Sequence, residues 1–387
     1  MAALSHALGM AVAMGWEILW PLILGFALSA VIQTVVSHQE ISRLLPDDSP
    51  RSLSIAMALG AASSSCSYAA VAIARSLFRK GGNFTAAMAF EMASTNLVLE
   101  LSIILIVLMG WQFMAAEALA APIMVAILAV LFRLFLSPEL VREAKEQAGK
   151  GIAGRMEGHA EMDMSVPAQG PLWRRIMSVH GFTVISHYFV MDWAAVWMDI
   201  AGGLLIAGAI AAWVPQDFWT TFFLTDHPIL AMLWGPVIGP FVAIICFVCS
   251  VGNIPLAAVL WNGGISFGGA LAFILGDLIV LPVLNIYRKY YGWRMAIFLM
   301  VTFYAAMAMA ALIVEGVFAL VGLIPHERHA RVIETSITWN YTTWLNIVFL
   351  LLAGALVSRS ITSGGLDMLR MMNRPADHGE MQHARHY

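Results

Sequence analysis

Nine long apolar segments make up most of this chain, and most of them approach or exceed the about 20 residues that a helix needs to cross a hydrocarbon core of about 30 Å. Only 12% of the residues are charged, whereas soluble domains carry about 25%. The sequence therefore predicts a polytopic helical membrane protein, and the continuous apolar runs exclude the alternating pattern of a membrane barrel. The segments are residues 10–36, 53–78, 84–112, 115–136, 183–214, 229–260, 267–287, 295–323 and 341–358.

The two halves of the chain are similar in sequence. At an offset of 183 residues, nine of the 25 positions in Cys66–Phe90 are identical to those in Cys249–Phe273. At an offset of 182, Glu17 aligns with Asp199, so each copy carries an acid inside an apolar segment. Internal repeats of this kind are typical of secondary transporters, which bind their substrate at the repeat interface.

Charge distribution separates two possible topologies. If all nine segments cross the membrane, the 21 Lys and Arg residues divide 12 to 9 between its sides. If residues 53–78 and 229–260 instead break at their polar centres and return, 19 lie on one side and only Arg328 and Arg331 on the other. The positive-inside rule favours the second topology, with the N-terminus external and the C-terminus cytoplasmic in a bacterial inner membrane.

The predicted fold is therefore an all-α polytopic membrane protein with an inverted structural repeat, about seven transmembrane helices and two re-entrant helical hairpins. Nine full spans are the alternative. Polar hairpin tips at the membrane midplane require a wet cavity or burial in protein, so a packed polar seam without a permeant is also open. The predicted divisions are a first repeat (1–136), a flexible cytoplasmic linker (137–182), a second repeat (183–323), an external loop with a final helix (324–359) and a cytoplasmic tail (360–387).

All three cysteines lie at or beside the predicted tips, namely Cys66, Cys246 and Cys249. Thiolates select soft ions, so these sulfurs are candidate ligands for As(III), Cu(I) or Zn(II), and they are the metal ligands if the substrate is a metal. Buried cysteines are also common as small apolar side chains. Hydroxyl and amide groups, together with helix N-termini after the tips, favour an oxyanion or polar solute equally. The further candidate substrate-binding residues are Ser64, Ser65, Ser67, Ser250, Asn253 and Asn96.

Several acids lie inside apolar segments, where each charge costs about 2.5 to 3.5 kcal/mol on the insertion scale. Polar interruptions at matched depth predict a broken helix in each repeat. The acids are candidate carriers of protons or other coupling ions, and structural pairing with Arg75 or backbone donors is the alternative. The candidate carriers are Glu91, Asp277, Glu17, Asp199 and Glu100. By contrast, Glu117, Asp217, Asp226 and Glu315 are expected at the external surface, in contact with solvent.

The chain lacks the motifs of other function classes. It has no nucleotide-binding motif, no basic block for nucleic acid and no recognisable nucleophile with an oriented base, so neither ATP coupling nor enzyme activity is expected. No cofactor is predicted. The expected partners are a small-molecule or metalloid substrate and the lipid bilayer, and a homo-oligomer is one alternative for the assembly.

The paired signatures SSSCSYAAVAIARSLFRKGGNFTAAMAFEMASTNLVLEL and VCSVGNIPLAAVLWNGGISFGGALAFILGDL resemble the two halves of the ArsP-type permease family. Cys66 and Cys249 occupy the family's cysteine positions, and Ser64-Ser65-Cys66-Ser67 stands where the family often has Cys-Ser-Cys-Ser. The resemblance implies a secondary permease that exports a thiophilic solute such as methylarsenite, confers arsenic resistance and is coupled to protons. Efflux of Cu or Zn, efflux of an anionic or polar solute, and an intramembrane enzyme are the alternatives.

Overall fold

The computed structural model describes residues 2–35, 45–63, 67–79, 81–148, 172–213, 216–246, 250–325, 327–328, 330, 339 and 341–372, and within them the regular structure is helical. The helices are α1 (Ala2–Val35), α2 (Pro50–Ser63), α3 (Ser67–Arg79), α4 (Phe84–Asn96), α5 (Leu99–Leu108), α6 (Trp111–Phe135), α7 (Pro138–Ala148), α8 (Leu172–Met177), α9 (Val179–Trp213), α10 (Gln216–Phe222), α11 (Pro228–Cys246), α12 (Ser250–Gly263), α13 (Phe267–Leu275), a 3-10 turn (Gly276–Ile279), α14 (Leu281–Tyr291), α15 (Trp293–Val321), α16 (Tyr341–Thr362) and α17 (Gly365–Met372).

The architecture is all-α and polytopic, as predicted. Within the described residues, five helices are long and apolar enough to cross a membrane, or up to seven if each bent pair is one span. The long helices α1 and α9 run antiparallel, because Gly208 packs against Ala7 and Ala11 at one end while Phe26 and Trp193 stack at 5.2 Å at the other.

The segment formed by α2 and α3 enters and leaves on the same side. Leu45, which precedes α2, accepts a backbone hydrogen bond from the N–H of Asn83, which follows α3, at 2.9 Å. At 1.5 Å per residue, each helix is about 20 Å long, and a single span of both would separate these ends by about 40 Å. The segment is therefore re-entrant, and a full crossing here is excluded. Residues 64–66, the predicted tip, lie outside the described residues.

The segment formed by α11 and α12 also returns. Gly235 in α11 packs against Ser266 and Gly269, and Gly239, one turn later, packs against Gly269 and Phe273. Thus α11 runs parallel to α13. Because α13 begins only four residues after α12 ends, the end of α12 lies near the beginning of α11. This is a second hairpin, although α11 alone is long enough to cross.

The two hairpins open toward opposite ends of α6. Asp48, before α2, forms a 2.7 Å ion pair with Arg133 near the end of α6. At the beginning of α6, Phe113 contacts Trp261 of α12 with ring centroids 5.2 Å apart. Since the 25 residues of α6 extend about 37 Å, the hairpins enter from the two sides of the membrane.

Local backbone geometry recurs between the halves at offsets of 182 and 183 residues. Gly81 and Gly264 both have a positive φ, 101° and 113°, in the turn before a capped helix. The side chains of Asn83 and Ser266 then accept from the backbone N–H three residues later, as N-caps do. The symmetry operation that would relate the complete repeats stays a prediction.

The predicted linker begins with an ordered element. Helix α7 is amphipathic, and the carbonyl of Ala148 at its end accepts from Nη2 of Arg75 at 2.9 Å. The Arg75 guanidinium also stacks over Tyr290, 4.4 Å from the ring centroid. The expectation of flexibility is therefore wrong for residues 138–148, because a cation at a helix C-terminus is stabilising. Residues 149–171 lie outside the described part.

Glu315 was expected in solvent, and this expectation is wrong. Its side chain is buried on α15 and accepts from the Ser266 hydroxyl at 3.1 Å. The backbone N–H groups of Phe267 and Gly268 also donate to it. These are the first amides of α13, which lack partners within their own helix, so Glu315 caps α13 from a neighbouring helix.

We expect residues 51 and 79 to be accessible from one side of the membrane and residue 111 from the other. All three side chains are exposed at helix ends. Single variants Arg51→Cys, Arg79→Cys and Trp111→Cys in a background without native cysteines can be labelled with an impermeant maleimide in right-side-out and inverted vesicles. Labelling of residues 51 and 79 from opposite sides would contradict the first hairpin.

Glu315→Gln should destabilise the fold, because charge-assisted hydrogen bonds contribute about 1.5 to 3 kcal/mol each. The melting temperature in detergent should fall by a few degrees. The double variant Ser266→Ala/Glu315→Gln should fall by less than the sum of the single variants, since both remove one shared interaction. Additive losses would show that Glu315 and Ser266 act separately.

Candidate transport site

Two transmembrane helices are interrupted near the middle of the protein. Helix α4 ends at Asn96 and α5 begins at Leu99 after a bend of 40°. In the second half, α13 gives way to a 3-10 turn at 276–279, and Val280 is extended with ψ 147° before Pro282 enters the first turn of α14. Both breaks were predicted from the sequence. Each exposes backbone groups that a continuous helix would pair.

A hydrogen bond connects the first hairpin to the second break. The hydroxyl of Ser67, the first residue of α3, donates to Oδ2 of Asp277 at 2.7 Å, and both residues are buried. The Thr95 hydroxyl and the backbone N–H groups of residues 277 and 278 also face this carboxylate. The other oxygen, Oδ1, is left without a well-formed hydrogen bond from any described residue.

A second carboxylate lies close to the first break. Glu91, on α4, accepts at Oε1 from the Tyr287 hydroxyl of α14, and neither side chain is exposed. Its Oε2 has no hydrogen-bond partner among the described residues. Glu91 and Asp277 also interact electrostatically. Charge on one carboxylate therefore disfavours charge on the other.

Glu117 is the third buried acid near Asp277, and the expectation that it meets solvent is wrong. Only 1% of it is exposed, and it interacts electrostatically with Asp277. Helical periodicity could have identified it, because residues four before it and three, four and seven after it are buried apolar side chains. The predictions also missed Tyr287 and Thr95, which carry no pattern that points to a partner in the other half.

The structure describes several other candidates. Asn96 donates through Nδ2 to the carbonyl of Met92 at 2.9 Å and to Thr95 at 3.0 Å. Asn253 is fully buried on α12, and neither polar atom of its amide has a hydrogen-bond partner in the described residues. Cys246 is half-buried at the end of α11. Asn253 and Cys246 thus lie within four residues of the second tip.

Glu100 is buried in the first turn of α5, at the start of the helix, where a carboxylate is stabilised by the helix dipole. Helix α1 approaches this turn so closely that a methyl group at Gly25 would overlap Glu100. The environment is therefore one of tight helix packing.

The remaining candidates lie outside the described residues. They are Ser64, Ser65, Cys66 and Cys249, together with the side chains of Glu17, Asp199 and Ser250. Whether Cys66 and Cys249 converge stays a prediction. Within the described part, no group of three or more His, Cys, Asp or Glu side chains is placed to hold a metal ion.

The chemistry of the described site is that of buried acids held by neutral groups. The hydrogen bonds to Glu91 and Asp277 come from a tyrosine and a serine hydroxyl. Buried carboxylates without a cationic partner favour uptake of a proton or another cation. The arrangement joins both repeats and lies at interrupted helices between hairpins that enter from the two sides, as in transporters whose substrate and ion sites are built from discontinuous helices.

Comparison with known proteins agrees with this architecture. A family model described as predicted permease, ArsP_1, matches residues 3–316. The chain is also 62% identical over 348 residues to the putative permease Rv2963 of Mycobacterium tuberculosis, covering 89% of this chain and 86% of that protein. No solved structure matches. The interrupted helices, the hairpins and the family match together show that this chain is a multi-pass membrane permease of the ArsP-type family.

Proposed function

We propose that this permease is a proton-coupled secondary exporter of the bacterial inner membrane, with Glu91 and Asp277 as the proton carriers. The observation that carries the proposal is that these two fully buried carboxylates, one beside each helix break, receive hydrogen bonds from neutral hydroxyls. Each carboxylate can therefore take up and release a proton without breaking an ion pair. Their electrostatic coupling makes release of one proton favour retention of the other.

The charge distribution supports an outward direction of transport from a cytoplasmic first-hairpin side. Arg79, Arg133 and Arg294 lie at helix ends on the side where the first hairpin opens, whereas Arg328 binds the carbonyls of Trp261 and Ile265 at the base of the second hairpin. This asymmetry follows the positive-inside rule. The N-terminus is then external, and the helix α16 ends in the cytoplasm.

The substrate we propose is a small thiophilic solute, most specifically a trivalent organoarsenical. The support is the family together with the sequence positions of Cys66 and Cys249 at the two tips. A soft metal ion such as Cu(I) or Zn(II) would use the same sulfurs and Cys246. An anionic or polar solute is the second candidate, because the described groups near the breaks and tips, Ser67 and Asn253, are hydroxyl and amide groups rather than thiols.

Glu91→Gln and Asp277→Asn should each abolish transport driven by a pH gradient, because neither amide can exchange a proton. The assay is substrate flux into proteoliposomes in sodium-free buffer, with expression and melting temperature measured in parallel. Glu315→Gln is the matched control, since this buried acid caps α13. Unchanged flux in both test variants would exclude proton coupling through these carboxylates.

Cys66→Ser and Cys249→Ser should each abolish binding of methylarsenite while leaving the melting temperature unchanged. Serine nearly preserves the volume but removes the soft ligand. Binding is measured with purified protein and resistance with cells that express each variant, and Cys246→Ser shows whether a third sulfur contributes. Retention of binding and resistance in both tip variants would assign the thiols to packing and favour the anionic or polar substrate.

A further inference from the structure

We propose that Ser67, Thr95, Asn96 and Asp277 form a binding site for a monovalent hard cation, with Na⁺ as the ion. The inference rests on the proposed function only in that Asp277 is shared with the proton site. It adds a second ion, which binds when Asp277 is ionised.

The four side chains form a continuous chain of oxygen atoms across the two repeats. Ser67 Oγ lies 2.7 Å from Asp277 Oδ2, and the Thr95 hydroxyl faces the same carboxylate. Thr95 Oγ1 in turn lies 3.0 Å from Asn96 Nδ2. The group therefore contains one carboxylate, two hydroxyls and one amide oxygen, supplied by a hairpin arm and both helix breaks.

Two of these oxygens are buried acceptors without a donor. Asn96 is 1% exposed and Asp277 is fully buried, yet Asn96 Oδ1 and Asp277 Oδ1 accept no hydrogen bond from the described residues. The orientation of the Asn96 amide is fixed, because Nδ2 donates to the Met92 carbonyl at 2.9 Å. Buried acceptors without partners are costly, and a cation between them removes this cost.

Thr95 shows the same shortage of donors. Its hydroxyl has one proton, which lies within hydrogen-bond distance of the Met92 carbonyl at 3.2 Å, while its oxygen already accepts from Asn96. When the proton points to Met92, two oxygens, those of Thr95 and Asp277, face each other with no hydrogen between them. A bound cation would stabilise that contact.

The donor set selects the kind of cation. Carboxylate, hydroxyl and amide oxygens are hard ligands, which suit Na⁺ or Mg²⁺ rather than a thiophilic metal. The one carboxylate in the group matches a single positive charge, and Mg²⁺ would have to retain several waters in a fully buried position. The C-terminal end of α4 at Asn96 adds the negative end of a helix dipole, as in the sodium sites of transporters with broken helices.

Proton and Na⁺ should compete for Asp277. The other titratable groups that interact electrostatically with it are Glu91, Glu117 and Tyr287. Ionisation of either glutamate adds negative charge near the cation, so the apparent Na⁺ affinity should increase as the pH rises.

The test is the melting temperature of the purified full-length protein in sodium-free choline buffer, titrated with NaCl at constant ionic strength and checked by direct binding of ²²Na⁺. Na⁺ should raise the melting temperature saturably, because a ligand that binds only the folded state stabilises it. Asp277→Asn should abolish the increase, and Ser67→Ala and Asn96→Ala should weaken the apparent affinity by about tenfold or more. Ser67→Thr, which keeps the hydroxyl, should retain binding.

Ser186→Ala is the matched control, since this buried hydroxyl donates only within α9, to Phe182 at 2.7 Å. An equal response to Na⁺, K⁺ and choline, or Na⁺ binding that survives in both Ser67→Ala and Asn96→Ala, would overturn the proposal. Saturable stabilisation by Mg²⁺ in place of Na⁺ would also overturn it. Loss of Na⁺ binding together with normal flux driven by a pH gradient in sodium-free buffer would leave the proton-coupled function intact and confirm that the two ions act separately.

Discussion

The hydrogen bond between Ser67 and Asp277 joins the two halves of this permease at the point where both are least regular. In a hydrocarbon environment, neither an interrupted helix nor an ionisable side chain is stable unless other protein groups pair with it. Here the first residue of a hairpin arm supplies the donor for an acid in the broken helix of the other half. The irregular backbone needed for a transport site is thus stabilised by the residues that form that site.

The hairpins determine where this contact can form. Each returns to its own side, as shown by the hydrogen bond between Leu45 and Asn83 and by the packing of Gly235 on Ser266. Because they open toward opposite ends of α6, polar groups from both sides reach the interior without a continuous polar channel. Glycines at helix contacts, such as Gly60 beside Phe90 and Ser94, allow the arms to pack against the broken helices at backbone distance.

The buried acids divide into two classes with different chemistry. Glu315 accepts from Ser266 and from the first amides of α13, so its charge is fully used in capping a helix. Glu91 and Asp277 each keep an oxygen without a hydrogen-bond partner in the described residues, and both are held by neutral hydroxyls. The first environment is suited to a permanent negative charge. The second is suited to a carboxylate that exchanges its cation, which is the property that ion coupling requires.

The sequence by itself determined the helical membrane class, the two segments that break at their polar centres, and the interrupted helices near Asn96 and Asp277. These features follow from local composition, since apolar length, charge cost and polar interruptions act within one segment. Only the tertiary structure decided which acids are capped and which remain open. Glu117 and Glu315 lie close to segment ends in the sequence, yet neighbouring helices bury them. Likewise, Tyr287 finds Glu91 across 196 residues. Such pairings depend on how separate helices pack, and the one-dimensional pattern of hydrophobic and polar residues carries no information about which helices become neighbours.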